Sequence, residues 1–130
     1  MNKGGCLCRA VRFQVNAEPV FSGKCYCRDC QYISGGEPAA FVVVPRDSLL
    51  VEGEVRVYSS QAESGHVVHR SFCSVCGTPL FSSNEEATDF VSVKVGALDD
   101  PSIFANQGHI WTASAQPWHG YGPALAPELD

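Results

Sequence analysis

Seven cysteines fall in three tight clusters: Cys6 with Cys8, then Cys25, Cys27 and Cys30, then Cys73 with Cys76. Cysteines that only fill a core would scatter among Val and Leu positions. These recur at separations of two and three residues, with none isolated. The odd count leaves one thiol over in any disulfide scheme, so a disulfide framework is a poor reading. Metal ligation is the better one. Soft thiolates select zinc, and tetrahedral all-sulfur sites are typical of it; iron held by cysteines is the other metal for such a donor set, and colour would expose it.

The outer clusters read as one closed site. "CSVCG" at 73–77 has the form of a knuckle, in which a turn brings Cys73 and Cys76 together and Gly77 takes a positive φ to close it. Backbone N–H groups in such a turn point at the sulfurs and stabilise their charge. In "CLC" two sulfurs two residues apart leave the same face of an extended strand. Cys6, Cys8, Cys73 and Cys76 then make a four-thiolate site that ties distant segments together, a structural role. Cys25, Cys27 and Cys30 remain, and no eighth cysteine exists. Three protein ligands with one open position is the pattern of catalytic zinc, where water or substrate takes the fourth place. Spacing alone leaves a second solution open: His66, His69, His109 or His119 could close the set, although a lone histidine is more often an ordinary surface or core residue.

The elements that must position these groups read as strands. "RAVRFQV" alternates Val11, Phe13 and Val15 against Arg12 and Gln14, "FVVV" at 41–44 has the look of a buried strand, and "VRVY" at 55–58 alternates. "HVVHRSF" at 66–72 leads into the knuckle, and "FVSVKVG" at 90–96 sets Val91, Val93 and Val95 against Ser92 and Lys94. Eight prolines and twelve glycines, with turns such as "VEGE" and "LDDP", punctuate these runs. Sustained helical periodicity is absent, and a single helical turn around "RDCQYIS" is the best candidate. The tail "YGPALAPELD" is proline-rich and is expected to hug the surface or fray.

At 130 residues without repeat, linker or low-complexity segment, one domain over 1–130 is expected, long enough to bury a core. The longest apolar run, "AAFVVV" at 39–44, is too short to span a bilayer. The start "MNKGGCLC" has no apolar stretch after its lysine, so a secretory signal is not expected and the chain is placed in a reducing cytoplasm. A net charge of −5 argues against a nucleic-acid partner, which needs a clustered cationic face. No feature assigns an oligomeric state.

Together the motifs carry a family resemblance. "GGCLCRAVRF", "CYCRDCQYISGG", "RSFCSVCGTPLF", "GALDDP" and "HIW…PW" occur in order from Gly4 to about Trp118. The chain resembles the glutathione-dependent formaldehyde-activating enzymes, a group that includes centromere protein V. All seven cysteine positions match that pattern. The resemblance implies a mainly β fold, the β-tent: several small twisted antiparallel sheets around zinc, with at most one or two short helical turns. It implies two zinc ions per chain, a structural one on the outer pairs and a catalytic one on the middle trio.

The chemistry implied is formation or cleavage of a carbon–sulfur bond, for the type member between formaldehyde and glutathione. A three-thiolate zinc could take the glutathione sulfur as thiolate, or polarise the aldehyde oxygen as a Lewis acid. Three thiolates already overcompensate the metal charge, which favours thiolate capture. Five of nine basic residues (Lys3, Arg9, Lys24, Arg28 and Arg70) lie within three positions of a cysteine, and offsetting the thiolate charge is their simplest role. The functional expectation is that Lys24 or Arg28 meets a ligand carboxylate. Ser34, on the rim formed by "QYISGG", would pass a proton. "HIW" and Trp118 are read as packing residues.

A carbon–sulfur lyase acting on a glutathione adduct is thus the leading reading. The alternative is a non-catalytic zinc-stabilised module that binds a protein partner through an exposed apolar patch. A thiol redox enzyme, as in a methionine sulfoxide reductase family that shares the tent, needs a metal-free cysteine, and the ligand count leaves none.

Overall fold

Alternating valines and short turn-bounded runs put most of the chain into strands. A computed structural model describes residues 2–120; the proline-rich 121–130 tail lies outside the described residues. The strands are β1 (Asn2–Gly5), β2 (Arg12–Val15), β3 (Phe21–Cys25), β4 (Ala39–Pro45), β5 (Leu49–Glu52), β6 (Val55–Gln61), β7 (Val67–Cys73), β8 (Pro79–Asn84), β9 (Phe90–Lys94) and β10 (His109–Ile110). One six-residue helix, α1 (Arg28–Ile33), interrupts them, together with isolated 3-10 turns. A three-stranded sheet has the order β1-β2-β5, and a seven-stranded sheet the order β10-β3-β4-β9-β8-β7-β6. This mainly β architecture without a barrel is consistent with a β-tent. Every ladder is antiparallel except the two-residue pairing of β10 with β3.

The two faces of the large sheet have different tasks. Val42, Val44, Leu80, Phe81, Val91 and Val93 point from β4, β8 and β9 into a core shared with Val11, Phe13 and Val15. Phe13 meets Phe81 edge-on, with ring centroids 5.1 Å apart. Cys6 and Cys73 belong to the same core, so the outer cysteine site is built on its margin. The opposite face carries Cys25, Ala39 and Phe41, packed with Cys30 from α1. Alternation continues that face across the sheet: register places Arg70 beside Ser82, Ser82 beside Ser92, Ser92 beside Val43, and Lys94 beside Phe41. The polar half of β9 therefore faces the site.

Leu80 has no exposed surface. Leu80→Ala is expected to cost about 2–5 kcal/mol in denaturant unfolding, because its packed surroundings cannot collapse into the space. A loss below about 1 kcal/mol would show that this face of the sheet is loosely packed.

One local expectation is corrected. "CLC" is not extended strand; Cys6, Leu7 and Cys8 form the connection between β1 and β2. The Cys6 carbonyl accepts from the Arg9 N–H at 3.1 Å, and Arg9 turns the chain with φ +68°. The sulfurs converge by a turn, as they do in the knuckle, and not by strand alternation.

Candidate metal centres and the cavity beside the helix

The outer pairs meet. The Sγ atoms of Cys6, Cys8, Cys73 and Cys76 all lie within 4.8 Å of one another. Cys6 and Cys8 sulfurs are 3.6 Å apart, and those of Cys8 and Cys73 3.8 Å. Tetrahedral zinc with bonds of about 2.3 Å sets its sulfurs about 3.8 Å apart, so this donor set fits such an ion without rearrangement. The Val11 N–H donates to Cys6 Sγ at 3.2 Å, and the N–H groups of Val75 and Cys76 donate to Cys73 Sγ at 3.3 and 3.4 Å. Gly77 closes the knuckle with φ +77°. Thr78 links the two loops: its Oγ1 accepts from the Leu7 N–H and lies 3.1 Å from Cys76 Sγ. That hydroxyl, with backbone support, holds the Cys76 thiol down to about 5, so it is a thiolate at neutral pH.

The middle trio also meets, its three sulfurs within 4.8 Å of one another. Cys25 ends β3, Cys27 is the N-cap of α1, and Cys30 lies in its first turn. The Cys30 N–H donates to Cys27 Sγ at 3.3 Å. Hydrogen bonds from the Cys25 and Cys30 thiols hold the Cys27 thiol far below its ordinary value, and the Arg70 charge adds to this. The same sharing, with burial, pushes Cys25 up. This cluster can also hold a metal ion, through three ligands.

No histidine joins the trio among the described residues. His109 is buried, with Nδ1 2.8 Å from the Tyr26 hydroxyl. His119 accepts the Gln116 N–H at Nδ1 and donates from Nε2 to the Gly36 carbonyl at 2.7 Å. His69 lies between Ser59 and Glu85, and His66 lies beside Asn84. The histidine alternative left by spacing is thereby removed.

A feature that spacing did not flag fixes the helix. Gln31 is 1% exposed, and its Nε2 donates to the carbonyls of Tyr26 and Ser114 at 2.6 and 2.9 Å. Its Oε1 accepts from Arg28 at 2.6 Å and from Gln116 at 3.2 Å. A fully satisfied buried amide of this kind holds α1, and with it Cys27 and Cys30, in one orientation.

The trio opens on a cavity of about 400 Å³, within the about 300–1,000 Å³ typical of small-molecule sites. Phe41, Val43 and Trp111 supply apolar wall, Ser82 and Ser92 polar floor, and Arg28, Arg70 and Lys94 positive charge. Arg70 reaches Asp29 at 3.8 Å. Burial pushes the Lys94 ammonium down from its usual range.

The residues named from sequence divide here. Arg28 lines the cavity, its guanidinium 4.9 Å from the Tyr32 ring centre. Lys24 sits on β3 opposite Ala40 and is not among the lining residues. Ser34 ends α1; its Oγ is 2.8 Å from the Cys30 carbonyl and also touches the Glu37 carbonyl, away from the lining. Gly36 receives the Trp118 ring, 3.3 Å from where a Cβ would be. Of the "HIW" segment, His109 packs inside as expected, but Trp111 lines the cavity, and Trp118 is 63% exposed.

The sequence model of the family described as glutathione-dependent formaldehyde-activating enzyme matches residues 1–114. The chain belongs to this family. A crystal structure of a Rhodobacter sphaeroides protein shares the fold at a TM-score of 0.60 and 21% identity, over 75% of this chain and 87% of that one. A comparison with curated proteins gave no match. Membership in the formaldehyde-activating family agrees with both cysteine clusters as metal sites. Among the described residues no helix is long and apolar enough to cross a membrane.

Proposed function

We propose that this chain is a zinc-dependent carbon–sulfur lyase acting on the adduct of formaldehyde with glutathione or a similar thiol. One observation carries the reading: a three-cysteine cluster without a fourth protein donor among the described residues faces a cavity of small-molecule size. Zinc bound by Cys25, Cys27 and Cys30 would supply a position in which a thiol is held as thiolate at neutral pH.

The chain's residues do the rest. The guanidinium of Arg28 at the cavity edge attracts a carboxylate of the tripeptide. Lys24, on β3 opposite Ala40 and off the lining, is given no part in this binding. Phe41, Val43 and Trp111 shield the reacting carbon from bulk water. Carbon–sulfur bond formation would use the sulfur's electron pair on the aldehyde carbon, with the carbonyl pair moving to oxygen and the proton released by the thiol on binding returning to that oxygen, to give the S-hydroxymethyl adduct. Cleavage runs the same steps in reverse. Ser34 serves the helix end that holds Cys30, in place of the proton-passing role its position in sequence suggests.

The test uses protein with cobalt in place of zinc. Glutathione should change the sulfur-to-cobalt charge-transfer absorption, whereas S-methylglutathione, which keeps both carboxylates but cannot give a thiolate, should bind far more weakly and leave the spectrum unchanged. Equal binding of the two, or no spectral response to glutathione, would defeat sulfur capture and move the protein-binding module ahead.

A further inference from the structure

The cavity floor is made by strands that have no part in the cysteine cluster. Arg70 on β7, Ser82 on β8 and Ser92 on β9 stand side by side in register, and Lys94 lies two residues further along β9 on the same face. Lys94 is opposite Phe41, which is opposite Gly23, and Cys25 follows two residues later. Two strand spacings and one pleat repeat put the Lys94 and Cys25 backbones on the order of 12 Å apart. Both side chains project into one cavity from there, which leaves room for a short ligand between ammonium and sulfur.

Both cations have spare bonding capacity. Lys94 is half-buried, and its ammonium makes no hydrogen bond or ion pair among the described residues. Arg70 donates to the Ser60 hydroxyl at 3.3 Å, and its approach to Asp29 at 3.8 Å is well beyond the about 2.7–2.9 Å of a charge-assisted bond. The two repel each other, and the charge of the cysteine trio offsets part of that repulsion, while the direct hydrogen-bonding capacity of the ammonium is left for a ligand. The other carboxylate of the lining, Glu63, is exposed on the turn between β6 and β7.

We infer that Arg70 and Lys94 form a carboxylate subsite that makes this cavity selective for thiols bearing a carboxylate a few atoms from sulfur. The inference rests on the reading that a thiol sulfur meets Cys25, Cys27 and Cys30, and it goes beyond it by naming what else the thiol must carry. Offsetting the charge of the cysteine cluster is the competing role for the pair. It predicts no preference among thiols.

Three small thiols separate the two on the cobalt-loaded full chain: 3-mercaptopropionate, 2-mercaptoethanol and cysteamine, each titrated against the charge-transfer absorption. The expected order is anionic over neutral by about tenfold, with the cation weakest. Intrinsic thiol acidity runs the other way, since a carboxylate makes its thiol less acidic and an ammonium more so. Lys94→Met and Arg70→Gln should erase the preference, with affinity for 3-mercaptopropionate falling about tenfold further than affinity for 2-mercaptoethanol once both are referred to protein of measured metal content, and Lys94→Arg should keep it. Equal binding of the three thiols to the unaltered protein overturns the inference even if both variants fail to fold, as does a uniform fall in affinity for all three in the variants. Selection of 3-mercaptopropionate without any binding of glutathione would refute the glutathione reading and leave the subsite standing. A spectrum unmoved by any thiol overturns both.

Discussion

The Cys73→Ser protein is expected to melt roughly 10 °C or more below its parent, and Cys30→Ser within a few degrees of it. Cys73 is 1% exposed, sits in the main core, and its sulfur accepts two backbone N–H groups of the knuckle. It also belongs to the set that joins the β1–β2 turn to the end of β7. Metal bound by such a set is folding free energy, because the unfolded chain does not hold the ligands together. Losing one of four thiolates removes much of that contribution, and a shorter, poorly satisfied oxygen is left at the core margin. Cys30 touches a smaller cluster, and α1 keeps its hold through Gln31. Thermal unfolding followed by circular dichroism, with metal content on the same samples, decides it: equal loss of midpoint from both changes would make the middle trio structural as well.

Much of the site was legible because thiol chemistry is written in residue type and spacing. Three cysteine clusters, a knuckle ending in glycine and a single helical turn at Arg28–Ile33 are all local features, and the structure has them. The buried face of β9 was legible through the alternation of Val91 and Val93, continued by Val95 in the turn that follows. What escaped depends on what covers a surface. Ser92 and Lys94 look like the solvent side of a strand, and "FSSN" in β8 looks the same, until α1 and Trp111 turn that side into a cavity. Nearness in sequence misled in the other direction. Lys24 and Ser34 flank the trio along the chain, yet strand alternation and the helix end turn them from the lining, whereas Arg70 and Lys94 arrive from two distant strands. The "CLC" pair was assigned to the right set by the wrong geometry, since a turn and an extended strand both bring sulfurs two residues apart together.

Removal of metal should proceed in two stages. Protein purified without added metal is expected to carry one ion at each of the two cysteine clusters. A mild chelator should then take the ion from Cys25, Cys27 and Cys30 first, with the fold intact. Access does not set this order. Cys8 and Cys76 are exposed, whereas Cys25 and Cys30 are buried, so burial alone would predict the reverse. The difference lies in what must break. At the trio the cavity lets a small chelator approach the position that no protein donor fills, and the partially released ion is captured there. At the outer site, each sulfur that lets go must leave a loop shaped by its own N–H–sulfur contacts and joined to the other loop by the Leu7–Thr78 hydrogen bond, so release is coupled to opening of the core margin. Metal analysis and circular dichroism along one chelator titration give the answer. A single bound ion at the start, or loss of both ions together with the secondary structure, would show that the two clusters are not a closed and an open site.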